Sequence, residues 1–139
     1  VLDCFAGAGG LGLEAASREA RHVTLVDSSR KAASNLTAQV KRLGTDNVEV
    51  YHGRVQDFLQ HCDRLFDIVF LDPPYAQPGL RQQTLELLIA QNLLKPGARI
   101  YLEWPRQEQK PLNDINLDWI RQKTAGQVTY AIAQWRLSG

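Results

Sequence analysis

The chain has 139 residues, 16 basic and 15 acidic side chains, a net charge of +1 and 44% hydrophobic residues, values ordinary for one globular domain with one core. No apolar stretch reaches the span of a bilayer and no signal peptide is visible, which sets aside a membrane role. Two cysteines, Cys4 and Cys62, are too few for a disulfide framework and lack zinc-type spacing, so a reducing cytoplasm is the expected setting and no metal is expected.

In chain order, Val1 to Cys4 reads as a strand, followed by the glycine-rich "FAGAGGLG" and a helix through about Ser17. Because the chain opens on what reads as a central strand, an N-terminal segment is expected to precede Val1. His22 to Asp27 is a second strand. Ser28 or Ser29 can cap the next helix, which runs to Leu43 and stops at Gly44, with Ala32, Ala33, Leu36, Val40 and Leu43 at helical spacing. Val48 to Gly53 is a third strand and "VQDFLQHC" a short helix. Phe66 to Asp72 is almost continuously apolar, as expected of a strand buried on both faces. A helix over 80–94, closed by Lys95-Pro96-Gly97, leads to a fifth strand, Ala98 to Trp104. Residues 106–116 read as a polar loop. "DWIRQKTAGQVTYAIAQWRL" then reads as two strands bending near Ala125-Gly126. The alternation predicts an α/β, Rossmann-like fold, a mostly parallel sheet whose C-terminal hairpin contributes one antiparallel strand.

Gly7, Gly9 and Gly12 match G-x-G-x-x-G between a strand and a helix, and Asp27 ends the next strand twenty residues after Gly7. Glycines let backbone approach a ligand closely, and an acid at that strand end can accept from ribose hydroxyls. A dinucleotide would place pyrophosphate at the helix start. Here Asp3 lies beside the expected ligand, a poor neighbour for pyrophosphate and a good one for the cationic amino-acid end of S-adenosylmethionine.

"FLDPPYAQPG" raises the second question. Ligands collect at the carboxyl ends of parallel strands, so the fourth strand delivers Asp72 to the reaction site. Pro73 keeps Asp72 extended, and each proline ring fixes its own φ. Neither proline offers an N–H, so the stretch presents stiff acceptors. The Asp72 side chain and the Pro73 carbonyl can each take one N–H of a nucleobase amine, aiming its lone pair at a methyl donor, while Tyr75 stacks on the base.

"LDCFAGAGGLG" resembles the first motif of the class I methyltransferases. Together with "FDIVFLDPPY", "IYLEWP" and "KTAGQVTYAIAQW", the chain resembles, over nearly its whole length, the bacterial family that methylates a guanine N2 amine in small-subunit ribosomal RNA. The resemblance implies that residues 1–139 form a single methyltransferase domain. It implies S-adenosylmethionine held by Asp3, Phe5, Gly7, Gly9 and Asp27, with Ser28 beside it, and catalysis by Asp72, Pro73, Pro74 and Tyr75. It implies as partner the ribosomal RNA or the assembling small subunit; no membrane partner is expected, and the oligomeric state is left open by the sequence, a monomer being the expectation. Many class I enzymes place an acid after the third strand to meet the adenine amine. This chain has Arg54 there, with Asp57 three residues on, and arginine cannot accept a hydrogen bond. Backbone groups of Arg54 and Val55 are the expected substitute.

Three other readings compete: a DNA adenine or cytosine amino-methyltransferase, which needs a larger target-recognition region; an NAD-dependent oxidoreductase, suggested by the glycine pattern; and a non-catalytic RNA-binding assembly factor. The near-neutral charge argues against a large stand-alone nucleic-acid footprint. His22, His52 and His61 are scattered, and "HCD" at 61–63 is a poor ion cradle. Cys4 is expected to act as a small hydrophobe, Glu103 as a solvated strand end, and Trp104, Trp119 and Trp135 as packing. Lys31, Lys41 and Arg42 are expected on a solvated helix face.

Overall fold

The structure is a computed structural model that describes residues 1–7, 20–71, 79–107 and 117–136. Its strands are β1 (Leu2–Asp3), β2 (Val23–Asp27), β3 (Val48–His52), β4 (Phe66–Leu71), β5 (Leu94–Pro105), β6 (Leu117–Ala125) and β7 (Val128–Trp135). The described helices are α1 (Arg30–Leu43), α2 (Val55–Gln60) and α3 (Gly79–Ala90). None of them is long and apolar enough to cross a membrane. The helix expected before Ser17 falls outside the described residues.

The strands form one seven-stranded sheet in the order β3-β2-β1-β4-β5-β7-β6. β1 to β5 pair in parallel, while β7 is antiparallel to both β5 and β6. The sheet is thus Rossmann-like with one reversed strand, as the element pattern predicts. Strand order turns back at β1, which has β2 on one side and β4 on the other. Ligands of open α/β sheets bind beyond the carboxyl ends of the strands at such a switch point.

Alternation along each strand sorts residues to two faces. On one, Leu2, Val26, Val69, Leu71, Ile100, Leu102, Ala131 and Ala133 meet Val55 and Leu59 of α2 and Leu85 and Leu88 of α3. On the other, Val23 and Leu25 meet Ala6 and Leu36, with Val40, Val48 and Val50 against them. Each fully buried leucine contributes about 1.5–3 kcal/mol relative to exposure.

α1 starts where Ser29 caps it: its Oγ accepts from the Ala32 N–H at 3.2 Å. It ends at Gly44, in the left-handed region at φ 66, whose N–H reaches the Lys41 carbonyl at 3.2 Å. Ala33 and Leu36 are buried as their spacing predicts, but Leu43, in the last turn, is 53% exposed.

Two boundaries differ from expectation by four residues each. α3 stops at Ala90 rather than Leu94. Asn92 takes a left-handed φ of 55, its N–H bonds the Ile89 carbonyl at 3.1 Å, and the Leu93 N–H bonds the Leu88 carbonyl at 3.0 Å. This is a Schellman closure with asparagine in the usual glycine place. β5 accordingly begins at Leu94. Phe66 pairs with Leu94 but Ile68 with Arg99, so Lys95 to Ala98 bulge out of register, with Gly97 at φ 78. The Lys95-Pro96-Gly97 sequence is therefore a bulge inside the strand, not a helix stop. β4 also departs from burial on both faces: Ile68 is 38% exposed and Phe70 is half-buried.

Candidate functional site

The carboxyl ends of the first four strands are stitched together by backbone hydrogen bonds. The Cys4 N–H donates to the Phe70 carbonyl (3.1 Å), Ala6 N–H to Val26 (2.8 Å) and Gly53 N–H to Asp27 (2.9 Å). These bonds carry the strand ladder past the formal strand ends and make a firm base under the switch point.

Asp27 ends β2 on this base, half-buried. Its Oδ2 accepts from the Gly7 N–H at 2.7 Å and its Oδ1 from the Ser29 N–H at 2.8 Å. Gly7 has a φ of 53, and an added Cβ would meet nothing nearer than the Phe5 carbonyl at 3.9 Å. Backbone conformation rather than crowding explains glycine there. One carboxylate therefore ties the glycine loop to the start of α1. A carboxylate has about four acceptor positions, and these two bonds leave the others open.

Asp3, at the end of β1, is 4% exposed; it pairs with Leu25 on one side and Phe70 on the other. Phe5 is half-buried against the main core. Cys4 is 1% exposed, and burial, with the Asp3 charge adding to it, pushes its thiol well above its ordinary range. A thiol held neutral is packing material and a poor nucleophile.

After β3, Arg54 precedes α2 in an extended conformation and no side chain caps that helix. The Arg54 Nε lies 3.4 Å from Asp57 Oδ2. The guanidinium is thus turned to Asp57, and Val55, the first residue of α2, is buried. Glu103, half-buried near the end of β5, accepts from the Tyr101 hydroxyl at 2.8 Å through Oε1, and its carbonyl accepts from Arg81 Nη2 at 2.8 Å. It is part of a local network rather than a solvated strand end.

The structure therefore gathers Asp3, Phe5, Gly7, Asp27 and Ser28 around the ends of β1 and β2, with Arg54 and Val55 one strand further at the end of β3. Gly9 and the four residues Asp72 to Tyr75 lie outside the described residues; Asp72 follows Leu71, the last residue of β4, directly in the chain. Ser29 caps α1 with its hydroxyl, one of the two serines the sequence offers for that role; what the sequence reading missed is that its amide also holds Asp27. A serine just after a strand-ending acid and just before a helix was the available signal. Among the described residues no three His, Cys, Asp or Glu side chains gather in a metal-binding group.

The family described as "Conserved hypothetical protein 95" matches residues 1–134. The ribosomal RNA small subunit methyltransferase D of Escherichia coli (strain K12) is 37% identical over 138 residues, which cover 99% of this chain and 69% of that protein. Its counterpart in Haemophilus influenzae is 38% identical over 138 residues, covering 96% of this chain and 70% of the relative. Among solved structures, the Escherichia coli methyltransferase yhhF superposes with a TM-score of 0.92 at 36% identity, covering 99% of this chain and 77% of that one. An rRNA methylase from Streptococcus thermophilus, at 13% identity and a TM-score of 0.77 over 98% of this chain and 87% of that one, shares the fold. On this similarity along nearly its whole length, the chain belongs to the conserved hypothetical protein 95 family, the family of the small-subunit ribosomal RNA methyltransferase D proteins.

Proposed function

We propose that the protein transfers a methyl group from S-adenosylmethionine to the exocyclic N2 amine of a guanine in small-subunit ribosomal RNA. The observation that carries this reading is the Asp27 carboxylate at the switch point, bonded to Gly7 and Ser29 with acceptor positions to spare. The relatives named for rRNA methylation supply the substrate class.

The residues present fit the methyl donor. Two carboxylates, Asp3 and Asp27, stand at adjacent strand ends, an arrangement suited to a ligand with a cationic amino-acid end and ribose hydroxyls and hostile to a pyrophosphate. Asp27 would take the ribose hydroxyls, with Ser28 beside it. Asp3, Phe5, Gly7 and Gly9 would line the amino-acid end. Because the Arg54 guanidinium is turned to Asp57, adenine would be read by backbone groups of Arg54 and Val55. When bound, S-adenosylmethionine supplies a methyl carbon made electrophilic by its sulfonium.

The rest is positioning by this chain. The Asp72 carboxylate and the Pro73 carbonyl each accept one N–H of the guanine amine. That draws the nitrogen towards tetrahedral geometry and frees its lone pair. Pro74 stiffens the stretch and Tyr75 stacks on the base. The N–C bond would form as the S–CH3 bond breaks and the thioether product, S-adenosylhomocysteine, leaves; the nitrogen, then cationic, would shed a proton to water, so Asp72 need not be a strong base. Alignment and electrostatics supply most of the rate enhancement.

The test is incubation of the protein with small-subunit ribosomal RNA and methyl-labelled S-adenosylmethionine, followed by nucleoside mass analysis. Label in N2-methylguanosine is expected. Label confined to adenosine or cytidine, or tight nicotinamide-dinucleotide binding with no transfer, would replace this reading.

A further inference from the structure

We propose that the β6–β7 hairpin, with Arg106 beside its turn, grips the phosphate backbone of the substrate RNA. This deepens the reading above and rests on it for the identity of the RNA.

Register places the hairpin. Asp3 pairs with Phe70, Phe70 with Tyr101, Tyr101 with Ile132 and Ile132 with Arg121. One row thus crosses five strands from a candidate site residue to the edge strand. Four spacings of about 4.8 Å put Arg121 roughly 19 Å from Asp3 along the sheet. Leu71 pairs with Leu102, and beyond that pair Glu103, Trp104 and Pro105 continue against Tyr130, Thr129 and Val128. Those three residues, at about 3.3 Å each, carry the turn of the hairpin roughly 10 Å past the level of Leu71. The hairpin therefore stands as a wall beside the carboxyl end of β4, across the switch point from Asp27.

A bulge decides what that wall presents. Trp119 pairs with Ala133 but Arg121 with Ile132, so Ile120 is an extra residue, 47% exposed. Without it, alternation would set Arg121 and Lys123 opposite Ala131 and Thr129, on the face that packs the main core. With it, they fall opposite Ile132 and Tyr130, on the face that carries Asp3. Bulges re-aim side chains in this way. The shift leaves Thr124 opposite Thr129, and their hydroxyls lie 3.0 Å apart.

The charge fits a polyanion. Arg106, Arg121 and Lys123 are exposed, and none of them has a carboxylate partner among the described residues. Of the acids in this region, Asp118 is taken by Arg136 at 3.0 Å, Glu103, two strands from Lys123 in the row through Tyr130, accepts from the Tyr101 hydroxyl, and no acidic residue follows Asp118 in the sequence. Arg106 is held to the turn: its N–H donates to the Gln127 carbonyl at 2.7 Å and its Nη1 lies 3.5 Å from the Gly126 carbonyl. In a chain of net charge +1, three cations with no carboxylate partner among the described residues, set on a projecting wall, form a localised phosphate site. That resolves the shortage of overall basic excess.

The test compares Arg121→Gln/Lys123→Gln with a charge-matched control, Lys31→Gln/Lys41→Gln, on the exposed side of α1. The probe is an in vitro transcript of small-subunit ribosomal RNA, its affinity measured across a salt series. Each lost phosphate contact lowers the salt slope by about 0.7 for single-stranded RNA. The hairpin variant is expected to lose roughly 1.4 from the slope, raise the RNA KM about tenfold or more and keep its kcat and S-adenosylhomocysteine affinity, while the control loses less than half as much slope. A hairpin variant with the wild-type slope, or a control that loses as much, overturns the proposal. Because the slope is read without methyl transfer, absence of transfer by the wild-type protein would count against the proposed reaction alone.

Discussion

The Asp27 carboxylate accepts the backbone N–H of Gly7 at 2.7 Å, across twenty residues of chain. The same side chain accepts the Ser29 N–H, so the acid assigned to the ribose also fixes the loop assigned to the amino-acid end of the methyl donor. Asp27→Ala should therefore weaken S-adenosylhomocysteine binding by more than one ribose contact. Loss of a charged hydrogen bond of about 1.5–3 kcal/mol corresponds to tenfold or more in affinity. Calorimetric titration measures it, and an unchanged dissociation constant would remove Asp27 from the site.

Gly44 tests how α1 is terminated. Its φ of 66 is left-handed, and nothing lies within 4 Å of an added Cβ. Gly44→Ala should cost about 1 kcal/mol from backbone strain alone. Urea unfolding should show a lower midpoint with an unchanged m value. A variant as stable as the parent would mean that the cap is not needed.

Leu59 is fully buried where α2 meets the main core. Leu59→Ala should destabilise the protein by about 2–5 kcal/mol. Because α2 begins at Val55, beside the assigned adenine contact, the same variant should also lose S-adenosylhomocysteine affinity. Destabilisation with full affinity at low temperature would uncouple α2 from the site.

His22 gives the fold a pH dependence. Burial, helped by the Arg64 charge, holds its imidazole below its ordinary value of 6.5, and Glu49 at 3.3 Å opposes this without reversing it. Its Nδ1 is buried with no hydrogen-bond partner among the described residues. With the folded value below the unfolded one, the unfolded chain binds the extra proton first. The His22 contribution to stability is therefore present above pH 6.5 and is lost as pH falls from there through the folded value. Unfolding midpoints should drop from about pH 7.5 to about pH 5.5, and drop less in His22→Gln. Equal drops in the two proteins would assign the dependence elsewhere.

Element types and the mostly parallel sheet with its closing hairpin were legible because short apolar runs alternate with helical ones and Ser29 and Gly44 punctuate α1 plainly. The end of α3 was not. "AQNLLKPG" keeps an apolar helical rhythm to Leu94, and only the left-handed backbone of Asn92, held by the Schellman bonds, separates helix from strand. The bulge at Ile120 was equally hidden, because its position depends on pairing with β7 rather than on local pattern. At the site, the glycine loop and Asp27 could be paired by spacing, whereas the Ser29 amide bond to Asp27 and the turn of Arg54 towards Asp57, local contacts two and three residues apart, depend on side-chain rotamers that residue spacing does not specify.

The most direct test of the central claim is single-turnover methyl transfer to small-subunit ribosomal RNA by the wild-type protein and by Asp72→Ala, with S-adenosylhomocysteine affinity measured in both. The account predicts N2-methylguanosine from the wild type. It predicts a rate at least about a hundredfold lower in the variant, the scale of losing one preorganised charge-stabilising group, with binding of the cofactor product retained. Equal rates, or a methyl group on another nucleoside, would contradict it.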